Sequence, residues 1–174
     1  MQKLTGNVCA RAGRRWGVAL FCGIFAFPVH AGEVPAASRL LNLAPAAFAP
    51  TNSAFQYTVE AGGLGRLCSL KGSGYVVAPL HLNDGAVIEG ISAVVQDKGN
   101  KSMALISLAR HTPEKSEIVA ISNASTGETE LETVATDSIS APAIDNRNYA
   151  YLLQVVLTGP GVCLRGAQVT YHNP

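Results

Sequence analysis

Charged side chains make up 14% of this 174-residue chain and aromatic ones 6%, with a single tryptophan. No segment keeps a helical period, and no apolar run is long enough to cross a bilayer. The longest, Trp16 to Phe27, would rise about 18 Å as a helix against a hydrocarbon core of roughly 30 Å. Catalytic signatures are missing too. No Gly-x-Ser-x-Gly elbow is present, Gly72-Ser73-Gly74 being too short and turn-like. Gly62-Gly63-Leu64-Gly65 lacks the Lys-Ser/Thr that completes a phosphate loop. A glycosidase needs two facing carboxyls about 5 to 9.5 Å apart, and no acid pair here has an aromatic cluster beside it. The expectation is a non-catalytic protein that calls for no cofactor.

What charge there is divides unevenly. Lys3, Arg11, Arg14 and Arg15 precede the Trp16–Phe27 run, Pro28 ends it, and Val29-His30-Ala31 offers a cleavage site before Gly32. A basic start, an apolar stretch and a small-residue cut make a secretory signal over 1–31, cleaved between Ala31 and Gly32. The Arg14-Arg15 pair is an indifferent twin-arginine match, and Phe21 ahead of Cys22 is too bulky for lipoprotein processing. The product is expected to be soluble, secreted or periplasmic, with no membrane span after signal removal. All twelve acids but only nine of thirteen basic residues follow residue 31, so the mature charge is 9 − 12 = −3. That balance disfavours nucleic acid and anionic membranes as partners.

Cysteines split the same way, Cys9 and Cys22 in the leader and Cys68 and Cys163 after it. Two cysteines in an exported chain point to one disulfide. A zinc site has no second pair to build it.

The mature chain is long enough for a single domain. Residues 32–38 read as a short linker and 39–174 as the folded part. Turn signals recur every 8 to 16 residues or so: Pro50-Thr51-Asn52, Gly62-Gly63, Gly72-Ser73-Gly74, Asn83-Asp84-Gly85, Lys98-Gly99-Asn100, Ser125-Thr126-Gly127 and Gly159-Pro160-Gly161. Segments rich in Val, Ile, Leu, Thr and Tyr lie between them, as strands require. In Asn148 to Thr158, Tyr149, Tyr151, Leu153, Val155 and Leu157 alternate with Ala150, Leu152, Gln154 and Val156, predicting a central strand covered on both faces. Ala86 to Gln96 is a second, with its period broken near Gly90 as at a bulge. Ser102 to Ala109, Glu117 to Asn123 and Val162 to Tyr171 follow. Gly127 to Thr136 would place Glu128, Glu130 and Glu132 on one face, a cation or sugar contact or else a solvated strand that resists edge pairing. About eight strands without helices make an all-β antiparallel sandwich with jelly-roll-like topology, an immunoglobulin-like sandwich being the alternative.

Leu43-Ala44-Pro45-Ala46-Ala47-Phe48, the run Ala78 to Ile88, Asp97, Asn148-Tyr149-Ala150-Tyr151 and Gly166 to Tyr171 together resemble a group of uncharacterised bacterial exported proteins. The resemblance spans most of the mature chain and implies a secreted jelly-roll-like β-sandwich, with no established activity. Asn83 departs from it, standing where a proline is usual in the turn.

Candidate sites are few. Calcium ligands are offered by Asp97 with Asn100 and by Asp145 with Asn146, both pairs also fitting ordinary Asx turns. Tyr149, Tyr151 and Tyr171 offer rings to a sugar, or to the core. His81, His111 and His172 stand alone in sequence, as surface or hydrogen-bonded histidines do. The function expected is ligand or surface binding, with carbohydrate or another envelope protein as partner. A structural subunit that joins partners through a strand edge is the alternative, and a glycan-active enzyme the third.

Overall fold

A computed structural model describes residues 37–60, 65–97, 102–127 and 130–174. The signal segment with its Ala31/Gly32 cut, most of the 32–38 linker, Asn100 and Glu128 lie outside the described residues. Eleven strands are present among those described: β1 Arg39–Leu43, β2 Ala49–Pro50, β3 Gln56–Glu60, β4 Arg66–Lys71, β5 Ser73–Leu80, β6 Val87–Gln96, β7 Met103–His111, β8 Ser116–Ile121, β9 Glu132–Thr136, β10 Ala150–Thr158 and β11 Cys163–His172. A single 3-10 turn, Pro45–Ala47, joins β1 to β2.

The strands form two antiparallel sheets. One runs β3-β4-β11-β6-β9 with β1 added to β11, and the other β2-β5-β10-β7-β8. Strands β4 to β11 nest as a jelly roll: β4 pairs with β11, β5 with β10, β6 with both β11 and β9, and β7 with both β10 and β8. The expected sandwich is therefore present, with the eight-strand winding of a jelly roll, and the immunoglobulin-like alternative falls away. β1, β2 and β3 are short additions at the sheet margins, too brief to show a period in the sequence.

Strand β10 sits at the centre of its sheet. Tyr151, Leu153, Val155 and Leu157 are buried in register with Leu80, Ala78, Val76 and Gly74 of β5. Leu152, Gln154 and Val156 on its other face are only half-buried, so the two-sided covering expected of this strand is a correction. Alternation alone reports which residues are apolar, not whether anything covers the second face. The acidic strand also differs: β9 begins at Glu132, whose carboxylate accepts the Thr126 N–H at 2.9 and 3.1 Å, while Glu130 precedes the strand. Of the expected ladder of three acids, only Glu132 belongs to the strand among the described residues.

Two glycines are required where they stand. Gly85 takes φ 81° in the Asn83–Ala86 turn, closed by the Ala86 N–H on the Asn83 carbonyl at 3.0 Å, a left-handed position that side chains resist. At Gly74 a Cβ would fall 2.2 Å from the Phe55 ring, so that ring closes the sandwich only over bare backbone.

Cys68 and Cys163 are bonded. They face one another directly across β4 and β11 with Cα atoms 4.0 Å apart, the close spacing of a non-hydrogen-bonded antiparallel pair. The flanking pair supplies the backbone bonds, the Ser69 N–H reaching the Val162 carbonyl at 2.9 Å. Asp97, fully buried at the end of β6, accepts the Ser102 and Ser125 hydroxyls at 2.5 and 2.6 Å, and Ser125 in turn accepts the Ala104 N–H of β7 at 2.7 Å. A charge-assisted chain thus connects the end of one sheet to the other. The crosslink closes a 95-residue separation. Replacing both cysteines by alanine should lower unfolding free energy by up to about 4 to 5 kcal/mol on the chain-entropy account. Urea denaturation would check it, and a loss below about 1 kcal/mol would show that the unfolded chain is hardly constrained by the bond.

Candidate functional site

The outer face of the six-stranded sheet is built from cross-strand rows that follow from register. Asn42, Gln168, Ser92 and Ala135 form one; Gly166, Val94 and Thr133 lie to one side of it; Leu40, Thr170 and Gly90 lie to the other. Small residues at Gly90, Ser92, Ala135 and Gly166 leave the middle of this face low. A groove of about 780 Å³ runs over Asn42, Ser92, Val94, Thr133, Arg165 and Gln168, and a second of about 490 Å³ over Glu89, Gly90, Ser92, Thr136, Asp137 and Thr170. Ser92 lines both, so they form one trough.

Two bulges bring two charges into it, beside Asp137 just past the end of β9. In β11 the register against β6 slips between Leu164 and Gly166, which leaves Arg165 without an opposite residue. Leu164 and Ala167 both point into the core, and Arg165 with Gly166 occupies the outer face between them. In β6 the slip falls opposite Thr170 and Tyr171, whose partners are Gly90 and Ile88, so Glu89 is the extra residue. This is the irregularity expected at Gly90. Bulges re-aim side chains, and here they put one cation and one carboxylate on the same face. The five steps along β6 from Glu89 to Val94 separate them by roughly 17 Å.

Each charge has its own surroundings. Glu89 accepts the Ser38 hydroxyl at 2.7 Å and pairs with His172 Nδ1 at 2.9 Å. The Ser38 hydrogen bond, and then the His172 contact, hold its carboxyl below the usual range. At the far end, Gln96 Oε1 accepts from both Arg66 and Arg165 at 3.4 Å, and its amide donates to Glu130 at 3.4 Å. Arg66 is neutralised by Glu60 through bonds of 2.7 and 3.0 Å. Between the two ends, the Gln168 amide donates to Asn42 Oδ1 at 2.8 Å, which leaves the Gln168 carbonyl oxygen and the Asn42 amide nitrogen facing the trough.

The residues singled out in the sequence lie elsewhere. Asp145 accepts the Arg147 and Asn148 N–H groups on Oδ1 and the Asn148 amide on Oδ2, which lowers its pKa. The Asn146 side chain donates to the Leu82 carbonyl and its N–H to Asp84 Oδ1. Both oxygens of Asp97 hold serine hydroxyls. Among the described residues no three His, Cys, Asp or Glu side chains gather as metal ligands. Tyr151 is buried, its hydroxyl accepting the Asp145 N–H at 3.0 Å; Tyr149 lies edge-on to it under the Arg110 guanidinium; Tyr171 packs against the core. Among the described residues no aromatic ring lines the trough. Sequence reasoning missed Arg165 and Gln168, and the doubled outward step Arg165-Gly166 within an otherwise alternating strand is the one sign of them.

The outer face of the other sheet has a different character. Tyr75, Val156 and Leu105 form one row, and Pro79, Leu152, Ala109 and Ile118 another, with the Ser107–Gln154 hydrogen bond between them. Neither row carries a charge, and Tyr75, Ile118 and Ile121 are each 54% exposed.

No protein-family model matches the chain, and no curated protein matches it. Solved structures do. The C-terminal family 6 carbohydrate-binding module of LamC, a laminarinase of the marine bacterium Zobellia galactanivorans, is 12% identical with a TM-score of 0.52 over 76% of this chain and 99% of its own. The xylan-binding CBM22-1 domain of Paenibacillus barcinonensis Xyn10C is 13% identical, with a TM-score of 0.51 over 81% of this chain and 99% of its own. A CBM36-1 domain of a xylanase from the hindgut metagenome of Trinervitermes trinervoides is 8% identical, with a TM-score of 0.51 over 75% and 96%. Likeness at this identity establishes the shared jelly-roll β-sandwich.

Because the pKa of Glu89 is lowered from its ordinary 4.5, its contribution to stability is complete above that value and is lost as pH falls through the folded pKa. The melting temperature of Glu89→Gln should therefore fall short of the parent's at pH 6 and converge on it towards pH 3. A gap that stays constant across that range would mean the carboxylate is not held by Ser38 and His172.

Proposed function

We propose that this chain is a non-catalytic carbohydrate-binding module that holds a glycan along the trough on its six-stranded sheet. The trough itself carries the reading: an elongated depression with a floor of small residues, edged by Asn42, Ser92, Thr133, Gln168 and Thr170, each able to exchange hydrogen bonds with sugar hydroxyls. The jelly-roll likeness to carbohydrate-binding modules supports it. The disulfide favours an oxidising compartment, secreted or periplasmic, and no helix among the described residues is long and apolar enough to cross a membrane. Affinity electrophoresis through gels holding xylan, laminarin or pectin should retard the protein. Gln168→Ala should weaken binding about three- to tenfold, the worth of one hydrogen bond. Unretarded migration in every gel would reject the reading, and release of reducing sugar would overturn its non-catalytic part.

The uncharged face of the five-stranded sheet favours a second reading, self-association with another copy of this chain. The five strands lie about 4.8 Å apart and the two longest have nine residues, so the face spans at most roughly 20 by 30 Å, under about 600 Å² before surface relief is counted, against about 800 Å² per partner in a standard interface. Having no charge, the face meets its own copy without repulsion. Joining through strand edges has less in its favour: Pro50, Glu60 and Glu132 stand at three margins, and Ser140 bonds to the Val119 carbonyl beside β8. Sedimentation equilibrium should find a dimer that Ile118→Glu converts to monomer. A parent that stays monomeric at hundreds of micromolar would exclude it.

A further inference from the structure

The charge in the larger groove names a ligand class more narrowly than the groove's shape does. We propose that the trough is specific for acidic glycans, with Arg165 receiving the carboxylate of a uronic acid residue; this rests on the carbohydrate-binding reading above.

Among the described residues, Arg165 is the only charged one that lines the larger groove. It has no carboxylate within salt-bridge distance among the described residues, and its one side-chain bond, to Gln96 Oε1, is 3.4 Å long. Arg66, which shares that oxygen, is already satisfied by two bonds to Glu60. Glu60 therefore makes direct contact with one guanidinium and acts on the other only at longer range, although both touch the same amide. Gln96 fixes an edge of Arg165 and leaves most of its five N–H donors to the groove. The fork of a guanidinium matches a carboxylate bidentately, a geometry that gives stronger hydrogen bonds than neutral partners do.

The position of Arg165 is also imposed by the backbone. As the extra residue of a bulge followed by Gly166, it cannot turn into the core without Leu164 or Ala167 turning out. Gln168, Asn42 and Thr133, which line the same groove, would take hydroxyls of the same sugar.

What the trough lacks points the same way. A neutral sugar is gripped largely by laying its C–H face on an aromatic ring, and no ring lines either groove. Hydrogen bonds to hydroxyls alone replace equivalent bonds to water and contribute little each. A site built without stacking needs a charge-assisted contact, and Arg165 is the group that supplies one.

The test compares ligands that differ only in charge. Isothermal titration with a two-residue oligogalacturonate, short enough to stay at the Arg165 end clear of Glu89 and Asp137, its methyl ester, xylo-oligosaccharides and a sulfated galactan oligosaccharide would be run on the full folded domain and on Arg165→Gln and Arg165→Lys, with thermal melts to verify folding. Oligogalacturonate should bind at least tenfold more tightly than its ester, and the advantage should shrink as salt rises from 20 to 500 mM. Arg165→Gln should erase the difference between acid and ester, and Arg165→Lys should restore part of it. Equal binding of acid and ester, or a preference that survives Arg165→Gln, overturns the acidic specificity and leaves the carbohydrate reading standing. Tighter binding of the sulfated galactan than of the uronate overturns the carboxylate assignment. Failure of every glycan to bind overturns both.

Discussion

Strand β11 carries the constraint on which this molecule depends. On one edge it must hydrogen-bond β6 along its whole length, from Cys163 opposite Gln96 to His172 opposite Val87. On the other edge it serves two strands in turn, β4 at Cys163 and Leu164 and β1 from Ala167 to Tyr171. The switch between those two neighbours falls at Arg165 and Gly166, where the register against β6 also slips. The disulfide sits immediately before the switch and holds β4 against β11 where only two residues are in register. Without such a crosslink, that short pairing would be the weakest seam of the sheet, since β3 reaches the rest of it only through β4.

The same irregularities give the two faces of the sandwich different chemistry. A sheet with strict alternation has no means of placing two neighbouring residues outward, and its outer face repeats whatever the period dictates. The five-stranded sheet shows the plain case in β10, where period two presents Leu152, Gln154 and Val156, and the resulting face is smooth and uncharged. The six-stranded sheet departs from it twice, and each departure delivers a charge. Glu89 is then tied down by Ser38 and His172, whereas Arg165 is merely steadied by Gln96. The Glu89 carboxylate is directly paired, whereas Arg165 has no direct carboxylate contact among the described residues.

The sequence made the regular parts plain and left the irregular ones obscure. Alternation from Tyr151 to Leu157 announced the central strand because a buried face must be apolar at every second position. Gly90 announced its bulge because a glycine in a strand has few other reasons to be there. The cysteine pair was legible from the compartment the leader implies. Arg165 was not legible, since Leu-Arg-Gly-Ala reads equally well as an unbroken strand and the slip depends on which strands flank it. The tyrosines misled for a related reason: a ring that suits sugar also suits the core, and only packing shows that Tyr151 is buried with its hydroxyl on the Asp145 backbone. The acidic strand starts later than its pattern proposes, at Glu132, whose carboxylate bonds back to Thr126.

Opposite charges in one trough raise the question of whether they act on one another. At roughly 17 Å apart along β6 they lie beyond the screening length of about 8 Å at physiological ionic strength. Each then acts locally, and Glu89, already paired, adds little repulsion against an anion held at the other end. The trough is nonetheless polar along its length, cationic towards β4 and anionic towards the chain's last strand residues. A linear ligand has two different ends and would meet a different group in each orientation. An acidic sugar seated on Arg165 with its neutral continuation passing Ser92 and Thr170 avoids Glu89 and Asp137, whereas a run of acidic units along the whole trough does not. The arrangement of bulges therefore favours a charge at one subsite over uniform charge along the chain.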